Sequence, residues 1–180
     1  GKTYYYLLTE INDNKANITY GPEQYLIKAK VSAQGTEAEP LTVTTTYYKW
    51  NQENNKWNSV TARNVTFTNT FTGTAVAKLG VSKSISGRDW KDGEEFTFTL
   101  TALDNAPMPT AGSETATASE SNKAPDFGPI TYTKAGIYNY TITETSQPTN
   151  GMTNAKPVTA TVTVALDTES NQLKATVVYS

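Results

Sequence analysis

Residues 137–144 read Ile-Tyr-Asn-Tyr-Thr-Ile-Thr-Glu, and apolar or aromatic side chains alternate with polar ones along this stretch. Such a period of two is typical of a strand that buries one face. A closely similar stretch, Thr-Tyr-Tyr-Tyr-Leu-Leu-Thr-Glu, occupies residues 3–10, which lie 134 positions earlier. The pair indicates an internal repeat, and the same offset places Ile18-Thr19 on Met152-Thr153.

Short alternating segments continue through the rest of the chain and predict an all-β fold. The composition agrees, since 32 Thr and 11 Tyr are residue types that fit a pleated sheet. Asn, Asp and Gly separate most segments, which favours antiparallel hairpins, and ten short strands favour a β-sandwich. The proline-containing stretch 104–128 is expected to be an irregular surface loop. The further strands are predicted at 25–32, 41–49, 64–71, 79–86, 95–103, 129–133, 158–166 and 173–179.

The composition also excludes several classes of function. The chain contains neither Cys nor His, so it has no disulfide, no thiolate or imidazole metal ligand and no serine-histidine-acid triad. Its formal net charge is −2 and its only arginines are Arg63 and Arg88, which argues against nucleic acid or a membrane surface as a partner. No apolar run reaches the length of about 18 residues that a membrane span needs. We expect no metal and no cofactor.

Several polar residues fall on strand faces that are otherwise apolar, because residues two apart in a strand share a face. A buried charge without a partner costs several kcal/mol, so we expect these side chains to contact one another. They are Lys83 (with Leu79, Val81 and Ile85), Asn69 (with Phe67 and Phe71), Glu144 (after Tyr138, Tyr140 and Ile142) and Glu10 (after Tyr4, Tyr6 and Leu8).

An amine, a carboxamide and a carboxyl in one dry site can form an amide bond without an external catalyst. Desolvation disfavours the ammonium and the carboxylate, which leaves a nucleophilic amine beside a protonated acid. The acid donates to the carboxamide oxygen and carries protons to the leaving nitrogen, so that a Lys-Asn isopeptide bond forms and ammonia is lost. The alternative interpretation is structural: the lysine extends towards solvent, the glutamates cap turns and the asparagine bonds to backbone.

The second repeat resembles the streptococcal pilin isopeptide-linkage repeat, which is the FctA-like domain of Gram-positive backbone pilins and surface adhesins. Residues 76–180 correspond to most of one repeat without its last strand, and residues 1–71 resemble the C-terminal half of the preceding repeat. The resemblance implies Ig-like, CnaB-type β-sandwich repeats with antiparallel sheets, located outside the cell at the surface or in the cell wall. It is carried by Val81–Trp90, Glu95–Leu100, Ala106–Pro109, Phe127–Tyr132 and Thr133–Glu144.

The same resemblance assigns roles to the inward polar residues. The linking lysine is Lys83, the linking asparagine is Asn69, and the catalytic glutamates are Glu144 and Glu10. Lys83 and Glu144 belong to one repeat and Glu10 and Asn69 to the other, so neither repeat holds all three groups. Three explanations stay open: the fragment boundaries cut the link, copies exchange strand 64–71 so that Asn69 meets Lys83, or segments outside this sequence supply the partners.

The resemblance implies a structural stalk module of a Gram-positive pilus or cell-surface adhesin, stabilised by autocatalytic intramolecular Lys-Asn isopeptide bonds, and not an enzyme. Its partners would be neighbouring repeats or pilin subunits. A second hypothesis is an adhesive module that binds host glycan or matrix protein through the Trp50–Trp57 hairpin or the 104–128 stretch. The two tryptophans flank a polar turn and are expected to form a cross-strand pair.

Overall fold

The structure is a computed structural model that describes residues 1–32, 41–61, 65–147 and 151–180. These residues divide into two compact units, Gly1–Thr72 and Gly73–Ser180, which we call unit 1 and unit 2. All regular structure in the described ranges is β-strand and every strand pair is antiparallel, which confirms the all-β prediction. No helix of the length and apolar character needed to cross a membrane occurs among these residues.

Unit 1 contains six strands within its described residues. They are β1 (Thr3–Thr9), β2 (Ile18–Thr19), β3 (Gln24–Val31), β4 (Val43–Asn51), β5 (Lys56–Val60) and β6 (Thr70–Phe71). Four of them form a sheet in the order β1-β3-β4-β5, while β2 and β6 pair only with each other. Leu7 and the neighbouring tyrosines of β1 are largely exposed, so this sheet is only partly covered by the rest of unit 1.

Unit 2 contains seven strands in the residues that the structure describes, and it has a fuller core. They are β7 (Ala75–Gly80), β8 (Glu95–Ala102), β9 (Thr115–Ser119), β10 (Asp126–Tyr132), β11 (Gly136–Glu144), β12 (Val158–Asp167) and β13 (Gln172–Tyr179). The order β13-β12-β11-β8-β9 forms one layer and the pair β10-β7 forms the other. Apolar faces of the two layers meet in a sandwich core. The largest fully buried side chains of this unit belong to Tyr132, Tyr140, Phe127, Leu79, Leu100, Ile130 and Val162.

The internal repeat reappears as a repeated strand pairing. β1 pairs with β3 and β11 pairs with β12, and the next strand across is β4 in unit 1 and β13 in unit 2. The registers correspond, so each residue on one face of unit 1 has an identifiable counterpart in unit 2. The equivalent pairs are Tyr6–Ile27 and Tyr140–Ala160, Leu8–Tyr25 and Ile142–Val158, and Ile27–Tyr47 and Ala160–Tyr179.

The strand predicted at 79–86 is wrong in its position, because β7 ends at Gly80. Val81 still donates its N–H to the Pro125 carbonyl at 3.0 Å. Proline has no N–H to donate in return, so the regular two-way exchange of ladder bonds ends there, although Lys83 still donates its N–H to the Lys123 carbonyl at 2.9 Å. Residues 81–86 therefore form no regular strand, although their side chains still alternate between half-buried and exposed positions.

The stretch 104–128 is not irregular throughout. β9 pairs with β8, and β10 begins at Asp126, three residues before the predicted start. Ala116 and Ala118 of β9 are buried while its threonines face outward. Alanine is depleted in strands, so this alternation gives only a weak sequence signal. Tertiary packing against β8 decides the outcome.

Two further predictions concern the ends of unit 1. The strand predicted at 64–71 is reduced to β6, since residues 65–69 join no ladder and residue 64 lies outside the described residues. The cross-strand tryptophan pair is confirmed, because Trp50 and Trp57 face each other on β4 and β5 with ring centroids 5.2 Å apart. β5 itself was not predicted from the alternation.

Two tyrosine hydroxyls are buried in the core of unit 2. Tyr140 donates to the Pro107 carbonyl at 2.7 Å, so Tyr132, at 2.9 Å, is the donor to Tyr140. Burial raises the pKa of both hydroxyls above the ordinary value of 10.0. The folded state therefore holds both tyrosines in their protonated form.

This shift predicts a loss of stability in alkali. A group whose pKa is raised on folding contributes its full stability below the unfolded pKa of 10.0 and loses it as the pH rises through the folded value. The free energy of unfolding of unit 2 should therefore decline above pH 10, and it should decline less in Tyr140→Phe. Guanidinium chloride titrations at about pH 8 and about pH 11 measure this difference.

Tyr138→Phe is the matched control, because Tyr138 lies on the same strand but makes an exposed bond to the Lys134 carbonyl. The Tyr138→Phe variant should lose as much free energy of unfolding above pH 10 as the unaltered protein does. An identical pH dependence in the unaltered protein and in Tyr140→Phe would contradict the prediction.

Candidate functional site

Lys83 and Glu144 form a buried ion pair in unit 2. Glu144 is the last residue of β11, and Lys83 lies three residues after β7. The Lys83 Nζ donates to both carboxylate oxygens of Glu144, at 2.7 and 2.9 Å. The Glu144 side chain is 0% exposed and that of Lys83 is 11% exposed. The structure thus places Lys83 inward, as the face pattern predicts.

Apolar surroundings and backbone groups hold this pair in place. The Lys83 Nζ lies 4.3 Å from the centroid of the Phe96 ring, in a cation–π contact. The N–H of Ala155 donates to Glu144 Oε2 at 2.8 Å. Asn154 bonds through its Nδ2 to the backbone carbonyl of Glu144 at 3.2 Å, which fixes the end of β11. The fully buried carboxylate therefore has three donor contacts.

Glu10 and Asn69 form a second pair in unit 1. Asn69 Nδ2 donates to Glu10 Oε1 at 2.6 Å, and the Gly21 N–H donates to Asn69 Oδ1 at 3.0 Å. The second oxygen of Glu10, Oε2, is buried and has no hydrogen-bond partner among the described residues. In unit 2 the lysine amine contacts both oxygens of the glutamate, so the orphaned oxygen marks where an amine would bind.

The two pairs differ in the group that meets the glutamate. Unit 2 brings an amine to a buried carboxyl, and unit 1 brings a carboxamide to the equivalent carboxyl. The Gly21 N–H is directed at the carboxamide oxygen, where negative charge develops when a nucleophile attacks the carbonyl carbon. Each unit thus holds two of the three side chains that the sequence predicts, and the described residues of neither unit hold all three.

Sequence reasoning did not identify the backbone donors Gly21 and Ala155 or the aromatic contact of Phe96. Gly21 follows Glu10 by eleven residues, and Ala155 follows Glu144 by the same distance. This shared spacing was the only available sign that the two positions are equivalent. It could not show that their N–H groups are donors, because no residue type marks a backbone donor. No group of acidic residues in the described ranges is arranged to hold a metal ion.

The buried pair predicts a large stability cost for one substitution. Lys83→Met leaves the Glu144 carboxylate buried without its cation, which should lower the free energy of unfolding by about 3 kcal/mol. Lys78→Met is the control, because the Lys78–Asp126 pair is exposed and should be worth about 0–1 kcal/mol. Guanidinium chloride unfolding of both variants gives the comparison, and equal losses would argue against a specific buried pair.

Comparison with known proteins matches the second unit and its ion pair to a protein family. A family model described as the Spy0128-like isopeptide containing domain, FctA, matches residues 79–180. Searches of curated proteins and of solved structures found no match. The matched region is more than half of the chain and contains both Lys83 and Glu144. The chain belongs to the family of Spy0128-like isopeptide-containing domains.

Proposed function

We propose that the chain is a structural stalk module of a Gram-positive pilus or cell-surface adhesin, whose repeats are stabilised by autocatalytic Lys-Asn isopeptide bonds. Membership of the FctA family supports a structural role in a surface protein outside the cell. The observation that carries the proposal is the buried contact of Lys83 Nζ with both oxygens of Glu144. No external substrate is turned over, and the partners are neighbouring repeats or pilin subunits anchored at the cell wall.

The proposed reaction uses only side chains of the domain. The neutral lysine Nζ attacks the Cγ of an asparagine, and the new C–N bond replaces the bond from Cγ to Nδ2. A backbone N–H, in the position of Gly21, stabilises the developing oxyanion. The glutamate accepts the proton from the amine and delivers it to the leaving nitrogen, which departs as ammonia.

A link between the first and last strands of a repeat has a clear mechanical use. Applied tension runs through covalent bonds and does not separate ladder hydrogen bonds one at a time. The link also restricts the unfolded chain, and by analogy with a disulfide that closes a loop of about 100 residues, the stabilisation is on the order of 4–5 kcal/mol. Both effects suit a protein that must stay extended under load.

The alternative is an adhesive module that binds host glycan or matrix protein. Trp50 and Trp57 are half-buried on the β4–β5 hairpin and pack on each other at 5.2 Å. A stacking contact within the hairpin already accounts for their position, so they are weaker support than the ion pair. Binding to a glycan array that is lost in Trp57→Ala would favour this alternative.

The decisive experiment supplies the missing carboxamide in the same chain. Tyr179 in β13 has the register position that Tyr47 has in β4, so Ser180 corresponds to Tyr48. A copy of residues 49–72 added after Ser180 therefore gives unit 2 the segment that follows Tyr48 in unit 1. The extended protein should lose the mass of one ammonia, and Glu144→Ala should fold but keep that mass, because the proton transfer group is absent. Intact-mass spectrometry under denaturing conditions makes the measurement.

Glu95→Ala is the matched control, because Glu95 is exposed on β8. It should lose ammonia as the unaltered extension does. Ammonia loss in Glu144→Ala at the same rate would exclude Glu144 as the catalyst, and its absence from every extended protein would refute the proposed chemistry.

A further inference from the structure

The outward face of the sheet in unit 1 carries an apolar patch. Tyr25 and Ala29 of β3 are buried and mark the inward face of this sheet. Residues at the alternate positions of each strand point the other way. On this outward face Tyr5 and Leu7 are each 61% exposed. Together with four half-buried side chains they form what we call the outward patch, which consists of Tyr5, Leu7, Leu26, Tyr48, Trp50 and Trp57.

The register makes this patch continuous. Leu7 pairs with Leu26 and Leu26 pairs with Tyr48, so three apolar side chains form one row across three strands. The paired tryptophans lie in the next row, and Tyr5 lies in the row on the other side of Leu7. Rows on one face are about 7 Å apart and neighbouring strands about 5 Å apart, so the patch measures about 15 Å in each direction.

The same face of unit 2 is polar. The counterparts of Tyr5, Leu7, Leu26 and Tyr48 in unit 2 are Asn139, Thr141, Thr159 and Ser180, in that order. A polar outward face is what an antiparallel sheet with one solvated side ordinarily has. The strands of unit 2 thus form with polar residues at these positions, and the fold does not require an apolar patch there.

The second layer of a sandwich does not explain the patch either. In unit 2 this layer, β10-β7, covers the inward face, on which Tyr140 and Val162 are buried. The outward side chains of β11 and β12 stay exposed or half-buried. A contiguous apolar surface on the solvated side of a sheet marks a place where another molecule binds.

The charged side chains on the outward face are all cationic in the described strands of unit 1. They are Lys28 and Lys30 of β3, and Lys28 is the register partner of Tyr5 in the patch. Neither lysine forms an ion pair with a carboxylate of the described residues. An anionic group at this border therefore meets two unpaired ammonium groups and no carboxylate on the same face. The complementary partner is apolar on one surface and negatively charged.

The size of the patch favours a narrow ligand over a folded protein. An area of about 15 Å by 15 Å is roughly 200 Å², whereas a specific protein interface takes about 800 Å² from each partner. An extended peptide binds a sheet through unpaired backbone groups at its edge. The row of Leu7, Leu26 and Tyr48 crosses β3, which is paired on both sides. Neither kind of protein partner fits these two features.

A sugar chain fits both features and the charge. A pyranose ring has an apolar C–H face and hydroxyl groups around its edge, so it packs on aromatic rings and bonds to small polar side chains beside them. Tyrosine and tryptophan offer the same combination of an apolar ring and a polar atom. Polar side chains that border the patch on the same face donate to and accept from such hydroxyls. They are Thr9, Gln24, Thr46 and Ser59.

We propose that the outward patch of unit 1 binds an acidic oligosaccharide whose charged groups are carboxylates. Its sugar rings lie across the row of Leu7, Leu26 and Tyr48 and reach the two tryptophans, and a carboxylate lies at Lys28. Two single charges match a chain with one carboxylate on every second sugar, whereas a densely sulfated chain needs more cations. This inference builds on the adhesive alternative by naming a surface and a ligand class, and the Lys-Asn chemistry does not enter it.

The test measures the binding of three hexasaccharides to the full chain by isothermal titration calorimetry. Hyaluronan carries a carboxylate on alternate sugars, chitin is neutral and heparin is sulfated. The hyaluronan hexasaccharide should bind saturably, and its affinity should fall as the salt concentration rises. The chitin hexasaccharide lacks the charge and should bind about fivefold more weakly.

Substitution by the residues of unit 2 removes the apolar row with side chains that the repeat already accepts. The combined variant Leu7→Thr, Leu26→Thr and Tyr48→Ser should bind hyaluronan at least about tenfold more weakly, because the stacking surface is lost. Lys28→Gln keeps the row, so it should weaken hyaluronan binding and its salt dependence while chitin binding is unchanged. This variant tests the site even if the combined variant is less stable. Ile137→Thr is the matched control, since Ile137 is 68% exposed on the outward face of unit 2, and it should bind as the unaltered chain does.

Unaltered hyaluronan binding in both patch variants would overturn the site. Equal affinity for chitin, or binding of heparin without hyaluronan, would contradict the assignment to carboxylates, and no binding of any hexasaccharide would exclude a sugar partner. Self-association of the full chain in sedimentation, lost in the combined variant, would give the patch to a second copy and overturn the proposal. The ammonia loss of the extended chain is measured separately, so the stalk function and this inference fail or hold independently.

Discussion

The buried carboxylate of Glu144 is the constraint on which the rest of unit 2 depends. A charge in a dry sandwich core is stable only with a cation and hydrogen-bond donors around it. Lys83 supplies the cation from beyond the end of β7, and the Ala155 N–H supplies a further donor from the connection to β12. The two layers and the connection are thus joined at one point, which is also where the proposed chemistry occurs.

In unit 1 the glutamate at the equivalent position of the repeat, Glu10, has a different partner. Glu10 accepts from the amide of Asn69, and its second oxygen is left without a partner among the described residues. A buried acceptor without a donor is costly. The two units thus hold an amine and a carboxamide, respectively, against glutamates at equivalent positions of the repeat.

The alternating pattern of the sequence determined the fold class and the inward side chains. Alternation fixes which face a residue occupies wherever one face is buried, so Lys83 and Glu144 were identifiable as inward side chains without any pairing information. The inward prediction for Asn69 is wrong, because this residue is exposed and residues 65–69 join no ladder. The internal repeat likewise indicated two related units. The strand limits were less secure, because Pro125 ends the β7 ladder and the alanines of β9 carry little strand preference.

The tertiary structure alone decided which polar groups meet. Two of the pairings, Lys83 with Glu144 and Glu10 with Asn69, join residues about 60 positions apart, and such distances are set by sheet register and layer packing. The backbone donors Gly21 and Ala155 leave no mark in the residue types, since every residue except proline carries the same N–H. Local sequence specifies the face of a side chain, whereas only the assembled strands specify its neighbours.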